Sequence, residues 1–227
     1  MEHAPPIIDL TQFHIPMVVP FQWITMLILI LICKVTTEKM AIIPLWKQNI
    51  IESIYIPLKE FFIGIIGEKH GPQYAPFCVV LFLYILVMNL LGLIPGLKSP
   101  TEVFSNNLAL GIMVFFYIQI AAITHFGIKG YISHLAGSPH DMVGYLLSPL
   151  MFFLHVVGEL VRPFSLSLRL FGNIYGEELA IGLFFSLVPF LIPVPFMLLT
   201  CLVSVIQAVV FSTLTAVYFS LALAEEH

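Results

Sequence analysis

Apolar residues run along this chain in long blocks separated by short polar stretches, and the blocks define its elements. The first covers residues 17–35, "MVVPFQWITMLILILICKV", with Trp23 near one end and Lys34 at the other. Its length suits a helix crossing a bilayer, which needs roughly 20 apolar residues. Over 45–68 apolar positions recur at helical spacing but are interrupted by Lys47, Glu52, Lys59 and Glu60. That pattern predicts an amphipathic helix lying on the membrane surface rather than crossing it. A second crossing run starts near residue 75 and closes in the Gly/Pro turn of "NLLGLIPGLKSP". A third opens with the polar "SNN" at 105–107 and continues to 127. Beyond the connection "KGYISHLAGSPHD" an apolar region extends over 142–224, interrupted at "PFLIPVP" by Pro189, Pro193 and Pro195. These prolines mark a turn between two arms. Each arm has about 30 to 45 residues, well beyond a perpendicular crossing, so both must tilt strongly or lie partly across the membrane.

The expected fold is an all-α integral membrane protein. It has about five membrane helices, the last two long and tilted as a hairpin, plus the amphipathic surface helix. A single domain over 1–227 holds an outer N-terminal segment (1–16), the first span (17–35), the surface helix (45–68), a helical hairpin (75–127) and the long hairpin (142–224). Composition agrees: 59% of residues are hydrophobic and 10% charged, with a mean hydropathy of +1.02, against about 25% charged in soluble domains. The unbroken runs argue against the alternating pattern of an outer-membrane barrel. A net charge of −4 and the absence of a basic patch argue against nucleic acid as a partner.

Cys33, Cys78 and Cys201 lie in separate apolar runs with no CxxC or Cys/His spacing. They read as small hydrophobes, so neither a metal nor another cofactor is expected. The start "MEHAPPIIDL" lacks a basic region and a cleavage site, which favours a retained first helix over a signal peptide. Lys34, Lys39, Lys47, Lys59 and Lys69 fall between the first two spans and Lys129 follows the third, while Lys98 alone lies on the other side. The positive-inside rule then puts the 34–74 and 127–141 loops in the cytoplasm, the N-terminus outside and the C-terminus cytoplasmic.

The first long arm carries the chemistry. On a helix at about 100° per residue, His155, Glu159, Arg162, Arg169, Asn173 and Glu177 fall within an arc of roughly 80°, with Ser165 beside it. Glu178 falls about 100° away. An arginine at the membrane centre costs about 2.5–3.5 kcal/mol on the insertion scale, so this face should line protein or water. Interhelical glue is the competing reading, strongest for Arg162, which has Glu159 nearby to pair with. Pro163 should kink the arm. In the last arm Thr200, Ser204, Gln207 and Thr215 share a similar arc. Hydroxyls are ordinary in membrane helices, but the Gln207 amide needs a partner. If the arms form a hairpin, it comes level with Arg169 and Asn173.

Carboxylates, a histidine and amides can relay protons or bind a small cation. No nucleophile–base pair, phosphate-cradling loop or metal cluster accompanies them, which points to ion translocation rather than chemistry on a substrate. A fixed arginine would obstruct a simple cation channel. It suits a device that blocks leakage while attracting a mobile carboxylate.

"RPFSLSLRLFGNIYGEEL" closely resembles the signature of subunit a of the F-type ATP synthases. "NLLGLIP", "SPTEVFSNNLALGIMVFF", "IQAVVFSTLTAVYFS" and the terminal "EEH" extend the resemblance over roughly 75–227. It implies a stator subunit beside a ring of c subunits. Two offset half-channels lead from opposite faces to a membrane carboxylate on each c subunit. By motif position Arg169 matches the arginine facing that carboxylate, Asn173 and Gln207 the polar residues flanking it, and Glu178 an acid of the outer half-channel. Asn89 and Ser165 match positions linked to the inner path, and Glu159 matches a frequent acid of the family. His155 stands where many relatives have glutamate, and Thr200 where some have histidine or glutamate. Membership of the outer relay is open at Glu177 and Thr200.

The resemblance further implies a b-type peripheral stalk and the remaining ATP synthase subunits as partners, the lipid bilayer as solvent, and no ATP chemistry in this chain. A bacterial inner membrane is the expected location. The transported ion, H⁺ or Na⁺, is set largely by the c subunit. A stand-alone secondary transporter or ion channel is the alternative, although the inverted repeats it predicts are not evident. A purely structural scaffold is a third.

Overall fold

Each apolar block of the chain becomes a helix. The computed structural model describes residues 18–37, 46–94, 99–135, 142–187 and 193–224. Helix α1 spans Val18–Thr37, α2 Trp46–Ile66 and α3 Gly71–Leu91. A 3₁₀ turn, Pro100–Glu102, leads into α4, Phe104–Leu135. The long pair follows, α5 at Met142–Leu187 and α6 at Pro193–Leu223. No strand occurs among the described residues. The runs Gly71–Leu91, Phe104–Ile128, Ser148–Leu183 and Pro195–Leu223 are long and apolar enough to cross a membrane, and α1 carries a shorter apolar run, Val19–Lys34. The chain is an all-α membrane protein, as its hydropathy pattern requires.

Helix α3 is the centre of the bundle, packed against α2 on one side and α6 on the other, while α4 pairs with α5. Tyr74 and Phe77 of α3 and Tyr117 of α4 surround the Phe219 ring of α6, at centroid distances of 4.9, 6.1 and 5.7 Å. Phe62, Ile85, Phe211 and Phe219 are fully buried there. The α2–α3 corner turns at Gly67, whose φ of 103° is a left-handed helix cap, with its N–H donating to the Ile63 carbonyl at 2.8 Å.

Two glycines shape the half of the bundle that carries the polar face. Gly111 of α4 lies so close to α5 that an added Cβ would come within 2.6 Å of Ser167 Oγ and 2.9 Å of the Pro163 carbonyl. Gly127, at φ 71° and ψ 165°, breaks α4 and redirects its last turns. In that backbone region glycine alone is unstrained. The break brings Tyr131 back alongside Gln119, twelve positions earlier. On a straight helix those residues would lie about 18 Å apart along the axis.

Candidate functional site

The antiparallel packing of α5 and α6 joins two of the polar positions singled out above. Asn173 Nδ2 donates to Gln207 Oε1 at 2.7 Å, so the Gln207 amide, 2% exposed, finds its partner across the arms. One helical turn along α5 is Glu177, level with Ser204 one turn back along α6. Glu177 Oε2, Ser204 Oγ and Gln207 Nε2 are buried atoms with no hydrogen-bond partner among the described residues. Buried polar atoms are almost always satisfied, so such a row between two helices is where water would sit.

Arg169 is exposed and has neither an ion pair nor a hydrogen bond to any described residue. The outer face of α5 leading up to it is oily: Phe153, Leu160, Phe164 and Leu168 are each half or more exposed. Among the described residues nothing compensates the guanidinium on that face. Ser165 and Asn173 are also exposed. His155 is exposed too, and its Nδ1 lies 3.0 Å from the Met151 carbonyl of its own helix.

The stripe therefore divides. Arg169 lies on the outer side of α5 and Asn173, itself exposed, reaches α6 from that edge, whereas Glu159 and Arg162 turn to α4 and α6. Glu159 Oε2 accepts from Gln119 Nε2 of α4 at 2.5 Å and from the Tyr131 hydroxyl at 3.1 Å. Arg162 Nη1 lies 3.9 Å from Glu159 Oε1, and its guanidinium covers the Tyr218 ring of α6 at 4.8 Å. Thr200 donates to the Phe196 carbonyl and Thr215 to that of Phe211, so both satisfy their own helix. Glu178 belongs to the α5 backbone, but its side chain lies outside the described residues.

Asn89, at the end of α3, belongs to a buried polar knot. Thr101 Oγ1 donates to Asn89 Oδ1 at 2.9 Å, and the Ser99 and Thr101 hydroxyls are 2.6 Å apart. Asn107 Nδ2 holds the Thr101 carbonyl at 2.6 Å, and Ser167 Oγ reaches both the Asn107 carbonyl (3.0 Å) and the Pro163 carbonyl (2.6 Å). The chain of bonds ties the turn before α4 to α5 two residues from Arg169. In the sequence Asn107 enters only within the polar "SNN", and Thr101 and Ser167 are not singled out. Neither are Gln119 and Tyr131, although an amide within the apolar "YIQIAA" carries the same signal that marks Gln207.

The fold and the polar face together define an all-helical membrane protein that presents an exposed arginine, without a partner among the described residues, on an oily flank. The family profile described as the ATP synthase A chain matches residues 19–220. The chain is 42% identical to ATP synthase subunit a 1 of Pelobacter propionicus over 209 residues, covering 92% of this chain and 88% of that one. It is 39% identical to ATP synthase subunit a of Moorella thermoacetica, covering 87% and 86%, and 38% identical to that of Geobacter sulfurreducens, covering 92% and 88%. This chain belongs to the ATP synthase A chain family.

Proposed function

We propose that this chain is the ion-translocating stator subunit of a rotary ATP synthase. Arg169 faces a ring of c subunits, and two half-channels lead to it from opposite membrane faces. The observation that carries this reading is Arg169 itself, an exposed cation on an apolar helix face with no partner among the described residues. A desolvated guanidinium there is stable against a surface that brings its own carboxylate, which a ring of acidic helices does. Beside Arg169 that carboxylate is favoured as the anion, and it releases its ion to one half-channel. Moving on into lipid is costly until it is neutralised from the other half-channel. Each ion crossing 100 mV contributes about 2.3 kcal/mol, which biases rotation.

The Asn173–Gln207 bond holds the two arms in register at the level of Arg169. The unpartnered atoms of Glu177, Ser204 and Gln207 support a wet passage between α5 and α6, with Glu178 as its acid. His155, Glu159, Ser165 and Asn89 belong to the paths leading to the ring, and Thr200 borders the outer one. The lysine distribution supports an N-terminus outside and a C-terminus in the cytoplasm of a bacterial inner membrane. A b-type stalk holds the subunit against the ring.

Arg169→Lys tests the reading. A compact ammonium lacks the planar fork of guanidinium and loses its charge more readily when desolvated. ATP-driven proton pumping in inverted vesicles, with complex content matched by immunoblot, is expected to fall by at least about tenfold. Wild-type pumping by this variant would refute the assignment.

A further inference from the structure

We propose that Tyr131 and Gln119 of α4 are positioning residues that make Glu159 a proton-exchange site at the α4–α5 end of the pathway. The proposal rests on the reading above and adds to it two residues from a different helix.

The geometry is a closed ring of three groups. Gln119 Nε2 donates to Glu159 Oε2 at 2.5 Å. The Tyr131 hydroxyl is 3.1 Å from the same oxygen and also hydrogen-bonded to Gln119 Oε1. A phenol has one hydrogen and can also accept, so it serves either state of its neighbour. With Glu159 ionised, Oε2 accepts from Gln119 and Tyr131. With Glu159 protonated, its O–H donates to Tyr131 Oη while the phenol hydrogen turns to Gln119 Oε1. A proton from water thus binds Oε2 and later leaves it, with rotation of one hydroxyl as the only rearrangement, the phenol hydrogen turning to Oε2 when Glu159 is ionised and to Gln119 Oε1 when it is protonated. Burial, and then the Glu159 carboxylate beside it, push the Tyr131 hydroxyl above its ordinary range, so it remains a protonated donor.

A static ion pair would look different. Arg162 is 3.9 Å from the other carboxylate oxygen and is drawn aside over Tyr218, which is not the bidentate geometry that locks a carboxylate as an anion. The groups around Glu159 are Arg162 and, one turn back, His155 on α5; Gln119 and Tyr131 on α4; and Tyr218 on α6 against Arg162. A recess between α4, α5 and α6, with room for about one water (10 Å³), is lined by Gln119, Arg162 and Tyr218 at one end and by Gly111 and Leu166 at the other. It runs along α5 from the level of Arg162 to that of Leu166; Arg169 lies about 15 Å along α5 from Glu159. Gly127 sets the arrangement, since without its backbone break Tyr131 would not return to Gln119.

The test uses the assembled membrane sector in liposomes, freed of its catalytic head. Passive proton influx driven by a potassium diffusion potential is recorded with an internal pH dye between pH 6 and 9. Tyr131→Phe is expected to copurify with the ring, lower the conductance about tenfold, as loss of a hydrogen bond to a charged group does, and displace the pH profile. In a Glu159→Gln background it should add nothing, because it acts through that carboxylate. Gln119→Leu is expected to behave like Tyr131→Phe and decides the matter if the latter does not assemble. Wild-type conductance and pH profile in these variants would overturn the proposal, as would losses that multiply with Glu159→Gln. Failure of both variants to copurify with the ring would assign the cluster to packing and also overturn it. None of these results touches the assignment of Arg169, whose own test is coupled pumping by Arg169→Lys.

Discussion

Adding one methyl group at Gly111 should cost this protein both stability and coupling, although Gly111 carries no chemistry. The Cβ of Gly111→Ala would lie 2.6 Å from Ser167 Oγ and 2.9 Å from the Pro163 carbonyl oxygen, well inside the roughly 3.5 Å at which such atoms rest. The serine can rotate away, but it then gives up its bonds to the Asn107 and Pro163 carbonyls, a loss of about 0.5–1.5 kcal/mol for a typical bond. The carbonyl is backbone and cannot rotate. Relieving that contact means moving α4 and α5 apart by about 0.5–1 Å, and overpacking of this kind costs about 1–3 kcal/mol. Arg169 is two residues beyond Ser167 on the displaced helix. Misplacing a reacting group by about 1 Å can cost roughly a hundredfold in rate, so ATP-driven pumping per assembled complex should fall at least tenfold. Pumping is read by dye quenching in inverted vesicles, normalised to complex content. Gly64→Ala is the control, since a Cβ there meets nothing within 4 Å and replaces a helical glycine at a gain of about 0.5–1 kcal/mol. Gly111→Ala vesicles that pump like the wild type at equal complex content would refute the packing argument.

Two other changes probe the polar contacts. Thr101→Val removes the hydroxyl bonded to Asn89 Oδ1 inside the buried knot and leaves that oxygen unsatisfied, at about 1–3 kcal/mol; the thermal unfolding midpoint of the detergent-solubilised protein should drop by several degrees, and an unchanged midpoint would count against the network. Gln207→Leu keeps the volume but strands Asn173 Nδ2; coupled pumping should fall several-fold while copurification with the ring persists, and normal pumping would show that this bond does not register the arms.

Much of this architecture was legible in the chain. An apolar run long enough to cross a bilayer has almost no alternative to a helix, because every backbone N–H and C=O must be satisfied within it. The same reasoning isolated the polar arc on α5, since charge in such a helix is expensive wherever it occurs, and it required a partner for Gln207. A helical wheel, however, reports only the angle of a residue about its own axis. It grouped Glu159 and Arg162 with Arg169 and could not show that α4 and α6 flank the first two while leaving the third bare.

The amino-acid pattern was enough for the helices and for the residues whose burial needs an explanation, while the turn it places between the long arms lies outside the described residues. Tertiary structure alone decided which of them meet. Gln119 and Tyr131 converge on Glu159 because Gly127 breaks α4, a backbone choice that glycine permits but does not announce. Ser167 reaches the Asn107 carbonyl because Gly111 lets two helices approach within a methyl group's width. Periodicity along a chain encodes which side of a helix is polar. The contacts that turn a polar side into a site depend on neighbours distant in sequence, and those are set only when the helices pack.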